Sequence, residues 1–405
     1  MTTTYDVAVL GAGISGLCAA HHATRAGLHC LVFEQAPSLG GCIHTVRTPG
    51  GFWFELGAHT LYNSYGSLLE TLVASDLAEA IERRKKAPYR MLVKGKVCSV
   101  PSQIAWGELL TSSWRIFRER KEGRSVQDYY GRLVGKGNWR SVFSPLLSAV
   151  PSQRADDFPA DMLFKSRPRR KEFPRTFTLK NGLTTLVEKL ASNDRITVRT
   201  GSAVLTLART ERGFAVTTSE GNVTEVRNVM VALPPDVAAR LLLPLVPNAA
   251  TAMARIPTAA IVSTGVAFAH KDLTLPRLAG LVPAQDVFFS AVSRDVVPDD
   301  RFRALAFHFR TGLSQDQRLD RIAEITGTSR KDFGHVSEHE TTLPSPALGH
   351  AEIVHAIDQG IDGSGVYVTG NFFGGLAIED CALRSAAEAA RLISESGQRK
   401  VSENR

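Results

Sequence analysis

The sequence predicts an α/β fold organised on a parallel sheet, and three observations near its start carry that prediction. Val7 to Leu10 form an apolar run of strand length. The run Gly11-Ala12-Gly13-Ile14-Ser15-Gly16 follows at once and opens an apolar helix, Leu17 to Ala26, which Gly27 stops. Leu31 to Phe33 read as a second strand, with Glu34 at its end. Strand, glycine turn, helix, strand and an acid about twenty residues on are the parts of a Rossmann-type dinucleotide-binding arm.

Each part has a physical task. Gly11 allows the tight turn, Gly13 lets backbone approach a pyrophosphate, and Gly16 lets the helix pack close to the strand. Ile14 and Ser15 open the helix, whose free N–H groups and dipole favour a phosphate. Glu34 accepts hydrogen bonds from ribose hydroxyls, with Gln35 beside it.

Composition narrows the class. A chain of 405 residues with 43% hydrophobic content can bury a large core and divide into two or three domains. The polar tail beyond Gly397 reads as disordered. No apolar run is long enough to span a bilayer, and the N-terminus lacks the pattern of a secretory signal. Five scattered cysteines without a CxxC fit a reducing cytoplasm and argue against a disulfide framework or a zinc site. A net charge of +8 suits anionic lipid or a polycarboxylate substrate; nothing resembles a nucleic-acid-binding module. No GxSxG occurs, so no hydrolase elbow is expected.

Gly40-Gly41-Cys42 supplies a second glycine loop, and Glu55-Leu56-Gly57-Ala58-His59 follows. A nicotinamide-only fold needs neither addition. With these residues the chain resembles the FAD-dependent superfamily that contains amine oxidases, phytoene desaturases and protoporphyrinogen oxidases. The resemblance implies FAD as cofactor, with Gly40, Gly41, Cys42, Gly57, Ala58 and His59 along its pyrophosphate and flavin. It also implies a glutathione-reductase/amine-oxidase-like FAD-binding domain, an inserted α+β substrate domain and a helical subdomain.

Ser67 to Glu82 has the pattern of an amphipathic helix, and Arg83-Arg84-Lys85-Lys86 reads as its solvated end. Two strands around Lys94-Gly95 form a hairpin that Pro101 closes. Arginine, Gly-Lys tip and closing Pro-Ser resemble the porphyrinogen oxidases in particular. Carried over, Arg90 faces the substrate cavity and pairs with a propionate.

Trp106 to Arg140 is helical in pattern, with Trp106, Leu109, Leu110, Trp114 and Phe117 as an apolar stripe among basic residues. A subdomain packed on the core is the favoured reading; peripheral docking at the inner membrane face is the other. Ala149-Val150-Pro151-Ser152 stands where the family writes a glycine-rich turn, a departure that bears on the cavity's shape. Lys165 to Arg175 is densely basic and reads as a mobile loop or as a lid over an anionic ligand.

Thr176 to Leu186 resembles the family's return to the FAD domain. There Val204 implies backbone laid against adenine, and Val229 to Leu233 with Pro234-Pro235 leads out again. The substrate domain is expected to hold strands at Ala260–Phe268, Val287–Val292 and Leu305–Phe309 and a helix at Gln315–Thr326. His335 and His339, four apart, fit one helix face, with no third metal ligand. Gly370-Asn371 and then Leu376-Ala377-Ile378 lead into a last helix, whose N-terminus the resemblance aims at the flavin. Phe372 is expected to border the substrate.

The expected division is 1–80, 176–237 and 345–397 for FAD, 81–102 and 238–344 for substrate, and 103–175 as the helical part. The resemblance implies an oxidase that moves hydrides from protoporphyrinogen IX or coproporphyrinogen III to flavin N5, with oxygen or another acceptor closing the cycle. Such chemistry needs positioning above all, so no catalytic base is assigned. An amine oxidase or desaturase is the alternative. Against it stand Ser263 at the amine-oxidase lysine, Asn371 in place of Glu, and Cys42 in place of Arg. A non-catalytic escort on the same fold is opposed by the intact glycines and Glu34. A carboxylated tetrapyrrole is the expected small-molecule partner; a homodimer stays open.

Overall fold

Val7–Leu10 and Cys30–Phe33 are buried along their whole length and pair in parallel, Val7 with Cys30 and Leu10 with Phe33. The computed structural model describes residues 5–403, with side chains through Ser396. Ile196–Arg199 joins one side of the pair, and Asn228–Val231 and Val366–Val368 join the other, giving a five-stranded parallel sheet. Continuous apolar strands are what a sheet covered on both faces requires. Ile14–Arg25 and Ile378–Glu403 cover one face; Pro235–Leu242, Pro247–Ala254 and His350–Ile361 cover the other.

The second layer is a seven-stranded sheet. Its spatial order is Phe333–Pro344, Thr258–Ala269, Phe302–Arg310, Phe288–Ser293, Gly280–Pro283, Tyr89–Val93 and Lys96–Ser99. Gln315–Thr326 packs Leu319 and Ile322 against one face. The opposite face meets Phe52, Phe54 and Leu56 through Ala267, Ala304 and Ala306. Gly265 belongs to that junction, because a Cβ there would collide with Leu56 and Phe54.

Several segments depart from their sequence pattern. The helix expected to reach Glu82 is Gly66–Ala74; Asp76 then turns with φ 57°, and Ile81–Arg83 is a strand. Pairing of that strand with Thr176–Leu179 overrides the amphipathic pattern. His335 and His339 lie on the strand Phe333–Pro344, where alternation also puts them on one face.

The span from Trp106 to Arg140 is broken into Trp106–Ser113, Trp114–Phe117, Val126–Val134 and shorter pieces. Of its stripe Leu109 packs against the Val126–Leu133 core, while Trp106, Leu110, Trp114 and Phe117 are exposed, Phe117 by 89%. The final helix carries the tail beyond Gly397 as far as Glu403; the side chains expected to be disordered there lie outside the described residues. No helix among the described residues is long and apolar enough to cross a membrane.

Candidate active site

The two glycine loops meet. Gly13 and Gly40 form an isolated parallel bridge, and Gly40 N–H donates to the Ala12 carbonyl at 3.0 Å. A Cβ on Gly16 would collide with the Gly11 carbonyl, so Gly16 answers to helix packing. A Cβ on Gly13 would meet nothing closer than 3.8 Å. Protein packing therefore leaves room at Gly13, enough for a pyrophosphate to approach the backbone closely. The helix Ile14–Arg25 has no side-chain cap and no acid in its first turn, so Ser15 and Gly16 lie at a bare N-terminus that suits a phosphate. These residues fit a flavin dinucleotide.

Glu34 accepts from Ala12 N–H and Ala36 N–H, both at 2.9 Å, which fixes its carboxylate at the rim of the same cradle. Gln35 is exposed beside it. Ser202 N–H donates to the Glu34 carbonyl at 2.8 Å, bringing the strand that begins at Val204 to the ribose end. Gly41, at φ 57°, and Cys42 run beside Gly57, Ala58 and His59: Ala58 N–H donates to the Cys42 carbonyl at 3.0 Å. A side chain at Gly57 would collide with that same carbonyl.

At the far end, Gly370 and Asn371 follow Val366–Val368, and Leu376 and Ala377 precede the helix that Ile378 starts. The acids of its first turn are occupied. Glu379 accepts from Ser67 and Leu68 N–H at 3.0 Å each. Asp380 pairs with Arg167 at 2.6 Å and Lys165 at 3.2 Å. Lys165 also donates to the Gly374 carbonyl. Lys165 and Arg167 thus tie the basic segment to the start of this helix.

Two expected substrate residues lie elsewhere. Arg90 is in register with Leu281 and two residues from Leu92, both in the core beneath Gln315–Thr326. Paired and alternate strand residues share a face, so Arg90 points away from the inter-sheet junction, while Tyr89 and Met91 point toward it. Phe372 is 1% exposed and stacks on Phe373 at 4.5 Å in the core beneath His350–Ile361.

What the junction brings together is a polar row. His339, Ser263, His308 and Ser290 pair across four neighbouring strands and face the layer of Phe54 and Leu56. Ser263 Oγ lies 2.9 Å from His308 Nδ1. His339 stacks on His44, and His59 stands beside Arg84. Burial holds the His308 imidazole down at about 4; burial and the Arg84 charge hold His59 at about 3. Both rings are neutral at pH 7. Sequence reading singled out Ser263 but missed His308, 45 residues away with no local motif.

Glu55 is buried, accepts from Leu183 N–H at 2.7 Å and from the Thr45 hydroxyl at 2.8 Å, and is pushed up to about 7 by desolvation. Arg84, expected to be solvated, is buried against the same junction. Among the described residues no group of three or more His, Cys, Asp or Glu is placed to hold a metal ion.

Comparisons with known proteins give the chain's family. The chain is 22% identical to protoporphyrinogen oxidase 1, chloroplastic, of Arabidopsis thaliana, over 94% of this chain and 86% of the relative. It is 21% identical to coproporphyrinogen III oxidase of Bacillus subtilis (strain 168), over 93% of this chain and 95% of the relative. A crystal structure from Exiguobacterium sp. 255-15, assigned by name as a protoporphyrinogen oxidase, superposes with TM-score 0.78 at 18% identity, covering 98% of this chain and 100% of that one. The model of the family described as "Flavin containing amine oxidoreductase" matches residues 14–393. The protein is a flavin-dependent oxidoreductase, and its chain belongs to the flavin-containing amine oxidoreductase family.

Proposed function

We propose that the protein is an FAD-dependent oxidase acting on a carboxylated porphyrinogen, protoporphyrinogen IX or coproporphyrinogen III. The carrying observation is the chemistry of the junction. It presents neutral groups, Ser263, His308, His339, His44 and His59, together with an unpaired cation, Arg84. An anionic, ring-shaped substrate fits that surface better than an ammonium does. The end-to-end similarity to porphyrinogen oxidases supports the same reading.

Bound FAD supplies the hydride acceptor. The chain's part is to hold the dinucleotide through both glycine loops and Glu34, to exclude water, and to position the ring. The 2.9 Å contact between Ser263 Oγ and His308 Nδ1 fixes the orientation of a neutral ring that offers one N–H donor and one acceptor nitrogen. Neutral groups able to accept from pyrrolic N–H orient such a ring without trapping it as an ion pair. The 1–80, 176–237 and 345–397 segments serve FAD in this reading, 81–102 and 238–344 the substrate.

Protoporphyrinogen IX and coproporphyrinogen III are to be given separately, under air, to protein that carries its flavin. Porphyrin fluorescence rising well above the enzyme-free rate with either one supports the proposal, and the faster one names the substrate. Both at background rate reject it in favour of an amine or other ring substrate.

A further inference from the structure

Three arginines among the described residues are buried: Arg303, Arg318 and Arg84, exposed by 6%, 8% and 9%. Arg303 pairs with Asp295 at 2.7 Å and Arg318 with Glu338 at 2.8 Å. The Arg84 guanidinium has no ion-pair or hydrogen-bond partner among the described residues, and its Nε is wholly buried. A buried, uncompensated guanidinium is strongly unfavourable. Its neighbours repeat the pattern. Arg84 lies along a cavity of about 30 Å³ that Trp53, Glu55, His59, Thr178 and Arg294 also line. Thr178 Oγ1 and Arg294 Nη1 are likewise buried without partners.

The strand pairing explains why they converge. Thr178 is opposite Glu82, so Arg84, two residues on, lies on Thr178's face. Glu55 is the carboxylate on the wall, but Leu183 N–H and the Thr45 hydroxyl occupy its oxygens, and burial leaves it only partly ionised near pH 7. Arg294 is also faced by Glu82 and Asp299, so the positive charge left unmatched at the cavity is that of Arg84. The cavity's size admits one halide-sized ion, about two waters, or the tip of a carboxylate.

We propose that Arg84, with Thr178 and His59 beside it, forms a binding site for a single negative charge, supplied by a halide in solution or by a carboxylate of the bound substrate. The halide arm stands independently of the porphyrinogen reading; the competition arm alone rests on it.

The test uses the flavin-loaded protein without substrate. Melting is followed as sodium gluconate is replaced by sodium bromide at constant ionic strength, and crystals are soaked in bromide for anomalous scattering. A saturable rise in Tm and a bromide peak beside Arg84 are expected. Arg84→Met, which keeps the bulk and removes the charge, is expected to weaken bromide about tenfold or more. Where that variant fails to fold, Thr178→Val and the native crystal decide. Coproporphyrin III added to the titration separates the sources: a raised bromide midpoint identifies a carboxylate sharing the site, and an unchanged one identifies the free ion. Equal melting in bromide and gluconate with no peak at Arg84, or a bromide response that survives in Arg84→Met, overturns the proposal.

Discussion

His44 and His339 stack at 4.3 Å with their planes 15° apart, joining the loop behind Gly40-Gly41 to the edge strand of the seven-stranded sheet. Burial lowers both pKa values from 6.5, and for His44 the His339 ring lowers it further. Rings with depressed pKa take up protons more readily once separated. Their contribution is complete above the ordinary histidine range and is lost as pH falls below it. Flavin release is therefore expected to steepen below about pH 6.5. His339→Phe keeps a ring and removes one titration, so its release midpoint should move to lower pH. Flavin fluorescence against pH measures this; coincident curves would contradict it.

The two glycines of the first loop should fail differently. In Gly16→Ala the methyl meets the Gly11 carbonyl, so low soluble yield and a lowered melting temperature are expected. In Gly13→Ala the methyl has space in the protein and blocks only the ligand. A folded protein with near-native melting in the flavin-free state and little bound flavin is the expected outcome. Equal flavin content in Gly13→Ala and native protein would remove the pyrophosphate from this loop.

Glu55 sets a pH dependence of stability. Its pKa rises from 4.5 unfolded to about 7 folded. Folding binds its proton, so the stabilisation is present below the unfolded value and disappears as pH rises through the folded one. The span corresponds to about 3 kcal/mol. Glu55→Gln keeps an acceptor for Leu183 N–H and cannot titrate. Urea midpoints of the variant should fall less between about pH 5 and 7 than those of the native protein. Parallel profiles would show that Glu55 ionises normally.

The exposed Trp106, Leu110, Trp114 and Phe117 lie beside exposed Arg118 and Arg120, and Arg118 sits 5.1 Å from the Trp114 ring. An apolar patch with a basic rim fits a peripheral site for anionic lipid. Binding to phosphatidylglycerol vesicles, weakened by salt and by Trp114→Ser with Phe117→Ser, is the expected outcome. Equal sedimentation of native and variant protein with such vesicles would contradict this surface.

The legible residues are those whose task is local. Gly11, Gly13, Gly16 and Glu34 act within one strand–turn–helix unit, and the short-range pattern contains that unit whole. Neither the face of Arg90 nor the burial of Phe372 is a local property: Arg90 takes its face from Leu281, and Phe372 is covered by the core beneath His350–Ile361. Arg84 sits in a run of four basic residues that composition marks as surface, and only pairing with Thr176–Leu179 turns it inward. The contact between Ser263 and His308 has no local spacing to reveal it, since their strands meet across a chain segment that includes Phe288–Ser293.

The most direct test of the central claim is anaerobic. Flavin-loaded protein is mixed with coproporphyrinogen III, and separately with protoporphyrinogen IX, while its visible flavin absorbance is followed. Rapid bleaching by at least one of them, reversed on admitting oxygen or another acceptor, is the expected result. A flavin that stays oxidised with both, yet is reduced by dithionite, would contradict porphyrinogen oxidation at this site.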